Sequence, residues 1–154
     1  MVSLCLIGCT YFSNNEGEGM SGFPPVMKGY VTIFDKQYKM NDGGYEWERK
    51  KGLSGQVVQS DHASPFDMAS NIEPIYVSPE EKINITIDGQ PNISVYFVNS
   101  MGREKEVEVK SWEIIAPSEK GQYIYEVVAE WSNGPDPDKW TRGKVSYVFV
   151  VYVE

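Results

Sequence analysis

From Ile83 to Ile87 the chain reads Ile-Asn-Ile-Thr-Ile and closes on Asp88-Gly89. Only an extended strand puts every second side chain on one face, so this alternation, ended by a turn dipeptide, predicts a half-buried strand. The pattern recurs along the chain. Ile93 to Val98 follows across Gln90-Pro91-Asn92, and the two runs either pair or cross between sheets. Gln122 to Trp131 alternates with Tyr123, Tyr125, Val127, Ala129 and Trp131 on one face; Gln122, Glu126 and Glu130 share the other with Ile124 and Val128. Val145 to Val153 becomes apolar on both faces in its second half, as a strand near the middle of a sheet does.

Weaker strand signals lie at Gly29 to Phe34, Tyr45 to Glu48, Gly55 to Gln59, Ile75 to Val77 and Glu104 to Ile115. Together the runs predict about eight or nine short strands, spaced roughly every 8–12 residues. Helix signal is confined to Pro65–Ser70, one turn with Ser64 as its cap. The fold class that follows is all-β: an antiparallel, immunoglobulin-like β-sandwich with little or no helix. An SH3-like or lipocalin-type barrel is the alternative. The inter-sheet cysteine pair of many such sandwiches is missing, so core aromatics, 13% of the residues with ten Tyr, must take over that packing.

Charge narrows the range of partners. The 154 residues carry 14 Lys and Arg against 22 Asp and Glu, a formal charge of −8. Such a field repels phosphate backbones, which excludes nucleic-acid binding through bulk electrostatics. One His and two Cys leave little material for a transition-metal cluster or an imidazole relay, and neither cofactor nor metal is expected.

Both cysteines fall within the first nine residues, which argues against a disulfide framework. The segment ends Leu6-Ile7-Gly8-Cys9 and resembles a bacterial lipobox, in which aliphatic and small residues precede a cysteine that takes a diacylglycerol through a thioether. Cys9 is then the lipid attachment site. Two features depart from that pattern: no Lys or Arg precedes the apolar run, and the run is shorter than a usual signal segment. A truncated start accounts for both; the competing assignment makes residues 2–9 a short buried strand of a cytosolic protein. Thr10 to Gly22 is rich in Gly, Ser and Asn, the composition of a tether that spans about 20 Å on average. The expected organisation is a residual signal and lipobox segment (1–9), a tether (10–22) and a sandwich domain (23–154). The membrane is contacted through the anchor alone, because no later stretch is long and apolar enough to span it.

A wider resemblance covers most of residues 43–154. Gly44-Tyr45-Glu46-Trp47, Asp61-His62-Ala63-Ser64-Pro65, Ile75-Tyr76-Val77-Ser78-Pro79 and Ile83-Asn84-Ile85 stand in this order. Gly121-Gln122-Tyr123-Ile124-Tyr125-Glu126-Val127 follows, with Trp131 and Val145-Ser146-Tyr147-Val148-Phe149 after it. The chain is similar to uncharacterised small lipoproteins of Gram-positive spore-forming bacteria. That resemblance implies an exported, lipid-anchored domain on the extracytoplasmic face of the cell membrane and carries over no catalytic residue. In that pattern a tight Asn-Gly turn joins the last two strands. Here Asn133-Gly134 is followed by Pro135-Asp136-Pro137-Asp138-Lys139-Trp140-Thr141-Arg142-Gly143, an insertion expected to protrude as a loop.

Trp140 and Arg142 in that insertion are the candidate partner-binding residues, being of the types most enriched at interface hot spots. Trp47, Trp112 and Trp131 read as core. His62, between Asp61 and Ser64, reads as part of a surface turn rather than a Ser–His–Asp relay, since neighbours in a turn point apart. Asn41-Asp42-Gly43-Gly44 and Asp136-Pro137-Asp138 are dense in oxygen donors but lack the spacing of a calcium loop, and read as solvated turns. Glu80-Glu81 reads as an exposed turn. Asn84-Ile-Thr86 and Asn92-Ile-Ser94 match a glycosylation pattern that carries little meaning in a bacterial lipoprotein. The expected function is a non-enzymatic binding module for a protein or cell-envelope ligand. The alternative is a secreted inhibitor of a protease or hydrolase acting through residues 134–143; an enzyme such as a glycoside hydrolase would need two carboxylates in a cleft.

Overall fold

The structure, a computed structural model, describes residues 22–154, which are 63% strand and 4% helix. In chain order the elements are β1 (Gly29–Ile33), β2 (Lys36–Lys39), β3 (Asn41–Lys51), β4 (Ser54–Ser60), α1 (Pro65–Ala69), β5 (Ile75–Val77) and β6 (Lys82–Ile87). They continue with β7 (Asn92–Asn99), β8 (Gly102–Val107), β9 (Glu113–Ile115), β10 (Gly121–Asp136) and β11 (Trp140–Val153). A four-stranded sheet, β2-β1-β6-β9, packs on a seven-stranded sheet, β4-β3-β11-β10-β7-β8, in which β5 pairs with the end of β11. Every pairing between these strands is antiparallel except β5 with β11. The all-β sandwich read from the alternation is the fold.

The two strongest alternations cross between sheets. β6 belongs to the small sheet and β7 to the large one, with Asp88-Gly89 in the connection. Ile83, Ile85 and Ile87 point inward and meet Val95, Tyr125, Val127 and Phe149 in the inter-sheet core. Each such buried aliphatic contributes on the order of 2 kcal/mol, so this stripe alone outweighs any local propensity.

Eleven strands replace the expected eight or nine. β2 exists because Phe34 (φ 48°) and Asp35 (φ 63°) form a two-residue turn with both residues in the left-handed region. The expected strand from Glu104 to Ile115 is two strands, β8 and β9, broken where Ser111 and Trp112 take φ 50° and 64°. Phe34 and Trp112 are bulky residues that rarely adopt this backbone, so neither turn announces itself in the sequence.

β11 lies between β10 and β3, as its two apolar faces require. Phe149, Val151 and Val153 enter the inter-sheet core; Val148 and Val150 are equally buried on the opposite face. There α1 covers β7, β10 and β11, with Ala69 buried beneath it. Ser64 caps the helix, accepting the Asp67 amide at 3.2 Å and donating to the Asp67 carboxylate at 2.7 Å. Cys9 and the segments 1–9 and 10–21 lie outside the described residues.

Candidate binding surface

The insertion after Trp131 is a continuation of the ladder, not a loop. β10 runs on to Asp136, β11 starts at Trp140, and only residues 137–139 form the turn between them. Asn133-Gly134 makes no hairpin turn. Asn133 sits at φ 58° inside a bulge, where three residues of β10 oppose one of β11 between the pairs Ser132–Arg142 and Asp136–Trp140. Asn and Gly suit left-handed backbone in a bulge as well as in a turn, and cross-strand pairing decides between the two. The neighbouring β3–β4 hairpin braces the tip, since the Lys50 amide donates to the Pro137 carbonyl at 2.8 Å.

Trp140 accordingly does not hang free. It packs edge-on against Trp47 at 5.5 Å between ring centroids, and Trp47 lies tilted on Trp131 at 5.1 Å. Gly143 makes this cluster possible: it separates Trp47 and Trp131 on the central strand, and a Cβ there would run into the Trp47 ring. The Trp131 indole N–H donates to the Asp88 carbonyl at 3.0 Å, joining the cluster to the turn after β6.

Arg142 points to the outer face of the large sheet. Its guanidinium donates twice to the Glu48 carboxylate, at 3.2 and 3.1 Å, across the β3–β11 pair. The hydrogen bond from Arg142 holds the Glu48 carboxyl below the ordinary carboxylate range, and the same bond raises the guanidinium. Lys144, two residues on, approaches Glu130 of β10 at 3.5 Å. Glu46, Glu48, Asn92, Glu130, Ser132, Arg142 and Lys144 line a shallow groove of about 270 Å³ with both charges on its walls. Exposed pairs of this kind add little stability, so the arrangement matters more for what it presents than for what it holds together. A polar ligand could exchange these pairs for its own at small cost.

Beyond the groove, the same face carries an element that the alternation hides. Glu126, on the face it shares with Ile124 and Val128, is only 7% exposed. Arg103 of β8 grips it at 2.7 and 3.2 Å, Ser146 of β11 donates at 2.9 Å, and the Arg103 guanidinium stacks over Tyr96 at 4.4 Å. Burial pushes the Glu126 carboxyl up, but the hydrogen bonds from Arg103 and Ser146 outweigh it and leave the net value below the ordinary one. The signal available was its position between Ile124 and Val128; the partner lies 23 residues away and could not be read.

His62 is exposed in the connection after β4 and lines a hollow of about 280 Å³ with Asp42, Tyr45, Trp47 and the Pro24–Met27 segment. Ser64, its neighbour, is committed to the helix cap. Asn41-Asp42-Gly43-Gly44 is not a solvated turn. It opens β3 and contains a bulge against Ser146, with Gly43 buried where a Cβ would press on the Ser146 carbonyl. Asp136 uses a carboxylate oxygen on the Asp138 amide at 3.0 Å. Among the described residues no three His, Cys, Asp or Glu side chains converge as metal ligands. Glu80, at φ 61°, is exposed in its turn. Trp47 and Trp131 are core residues at 1% and 4% exposure, whereas Trp112 is only partly buried, in the turn before β9. No helix among the described residues is long and apolar enough to cross a membrane. Comparison with models of protein families, with curated proteins and with solved structures found no match.

Proposed function

We propose that this chain is a lipid-anchored, extracytoplasmic β-sandwich of immunoglobulin-like type, acting as a non-enzymatic binding module for a protein or cell-envelope ligand. The address rests on Leu6-Ile7-Gly8-Cys9 and the polar segment behind it, and on the resemblance to small lipoproteins of spore-forming bacteria. The observation that carries the binding reading is the groove on the outer face, where Arg142 and Lys144 stand between Glu46, Glu48 and Glu130 on rigid central strands. Fixed strands present these charges without the ordering cost that a mobile loop incurs on binding.

The test is a pull-down from intact membranes with the anchored protein. The double variant Arg142→Glu, Lys144→Glu is expected to lose the captured partner while its melting temperature stays within a few degrees of wild type. Equal capture by the variant would remove the groove from the account.

The inhibitor reading keeps one observation in its favour: the tip at residues 137–139 is pinned through Pro137 to Lys50, and inhibitor segments are held rigidly in this way. Replacing Pro137, Asp138 and Lys139 together by Ala separates the two readings. The groove predicts unchanged capture, and the inhibitor predicts its loss.

A further inference from the structure

The two long hairpins end side by side, and the chain enters the domain at the same place. Phe23 lies under the Arg49 guanidinium at 4.4 Å, and Arg49 is on β3, four residues before Leu53 at the β3–β4 tip. Lys50 is tied to Pro137 at the other tip. Leu53 is fully exposed at 111% of its reference area, at the point furthest along its hairpin.

Charge at this end runs against the rest of the molecule. Arg49, Lys50, Lys51 and Lys139 face two carboxylates, Asp136 and Asp138, on a chain where acids outnumber bases 22 to 14. Among the described residues none of the four cations forms an ion pair. Arg49 instead donates to Gln56 at 2.7 Å and covers Phe23. Because three residues of β10 bulge against one of β11, the advance is read along β11, where three residues from Gly143 to Trp140 set the turn about 10 Å beyond the Trp47–Trp131 pair. With a screening length of about 8 Å at physiological salt, a surface touching the tips feels Arg49, Lys50, Lys51 and Lys139 more than the acidic residues further along the sheets.

We propose that this end docks on an anionic lipid bilayer, with Leu53 entering the headgroup boundary and Arg49, Lys50, Lys51 and Lys139 meeting lipid phosphates. The proposal rests on the reading of Cys9 as anchor, which brings the membrane to the end where the chain enters at residue 22. Docking orients the module: the tips sit on the bilayer, and the opposite end, with the Ser100-Met101 turn, faces outward. A basic end on a bilayer gains about fivefold in partition per Lys or Arg, so the cluster acting together gives a measurable partition even without the tether, and the exposed Leu adds apolar contact.

The test uses the full chain with Cys9→Ser, which takes no lipid, sedimented with vesicles of phosphatidylglycerol and phosphatidylcholine or of phosphatidylcholine alone. The account expects binding to the anionic vesicles only, abolished by raised salt. It expects Lys50→Glu with Lys51→Glu, and separately Leu53→Asp, to weaken partition, the charge reversal by at least about tenfold. Met101→Asp, 92% exposed at the other end, is expected to bind like wild type. The proposal is overturned if the chain ignores anionic vesicles, if the tip variants bind as well as wild type, or if Met101→Asp loses as much. Fatty-acid labelling of the unmutated chain reports the anchor separately, so failure of docking and failure of the anchor give different results.

Discussion

Gly143 is where one missing atom organises the interior. Its position between Trp47 and Trp131 leaves the space that the Trp47 ring occupies, and Trp140 closes the cluster from the tip side. Gly143→Ala is expected to cost about 3 kcal/mol or more, because a buried indole must move off its partners. Urea unfolding measures this directly, and a loss below about 0.5 kcal/mol would show that the ring has room to shift. Glu126 makes the corresponding electrostatic case. Its folded pKa lies below the ordinary 4.5 of the unfolded chain, so its stabilisation is complete above that value and is lost as pH falls through the folded one. Removing the partner with Arg103→Ala is expected to cost about 2 kcal/mol near neutral pH. That is less than the roughly 3–5 kcal/mol of a fully buried pair, because Arg103 keeps nearly half its side chain in water. The gap between wild type and Arg103→Ala should narrow as pH falls below the ordinary carboxylate value of 4.5; a gap independent of pH would assign the loss to packing on Tyr96 instead.

At the scale of elements, the insertion after Trp131 is the decisive case. Read as a loop, residues 135–143 could be deleted with little effect on stability. As strand, they carry Trp140 and Gly143 into the tryptophan cluster and Arg142 onto Glu48. Deletion is expected to lower the melting temperature by more than about 10 °C, the equivalent of losing one large core aromatic. Calorimetry checks it; an unchanged transition would return the segment to a loop. The reasons for what could and could not be read are physical. Alternation located β6, β7, β10 and β11 and the buried position of Trp131, because a sandwich core imposes a period of two on every strand. Pro135 and Pro137 argued for a loop because proline cannot donate to a ladder, yet Pro135 falls within the bulge of β10 and Pro137 in the turn after it. Turns at Phe34-Asp35 and Ser111-Trp112 each place a bulky aromatic in backbone it rarely adopts, so β2 and the break between β8 and β9 left no signal. Ser64, by contrast, marked its helix through the one local rule that needs no tertiary partner.

Over the whole molecule, charge is sorted rather than spread. The outer face of the large sheet interleaves Glu46, Glu48 and Glu130 with Arg142 and Lys144 around a groove, while Arg49, Lys50, Lys51 and Lys139 stand together at the hairpin tips. Arg142 was legible as a candidate from its residue type and its place in an unusual insertion, but its partner Glu48 was not, because only the sheet order brings β3 beside β11. Trp140 was legible for the same reason and serves packing instead. The proposed address rests on the sequence alone, a cysteine after Leu6-Ile7-Gly8 and a polar run behind it, outside the described residues. Everything proposed about this protein's surroundings depends on that cysteine. Growing cells with radiolabelled palmitate and comparing the intact chain with Cys9→Ser tests it most directly. The account expects label and membrane association in the intact chain and neither in the variant under high-salt washing, which strips the electrostatic contact of the tips. An intact chain that takes up no label and stays as firmly bound as the variant would contradict it.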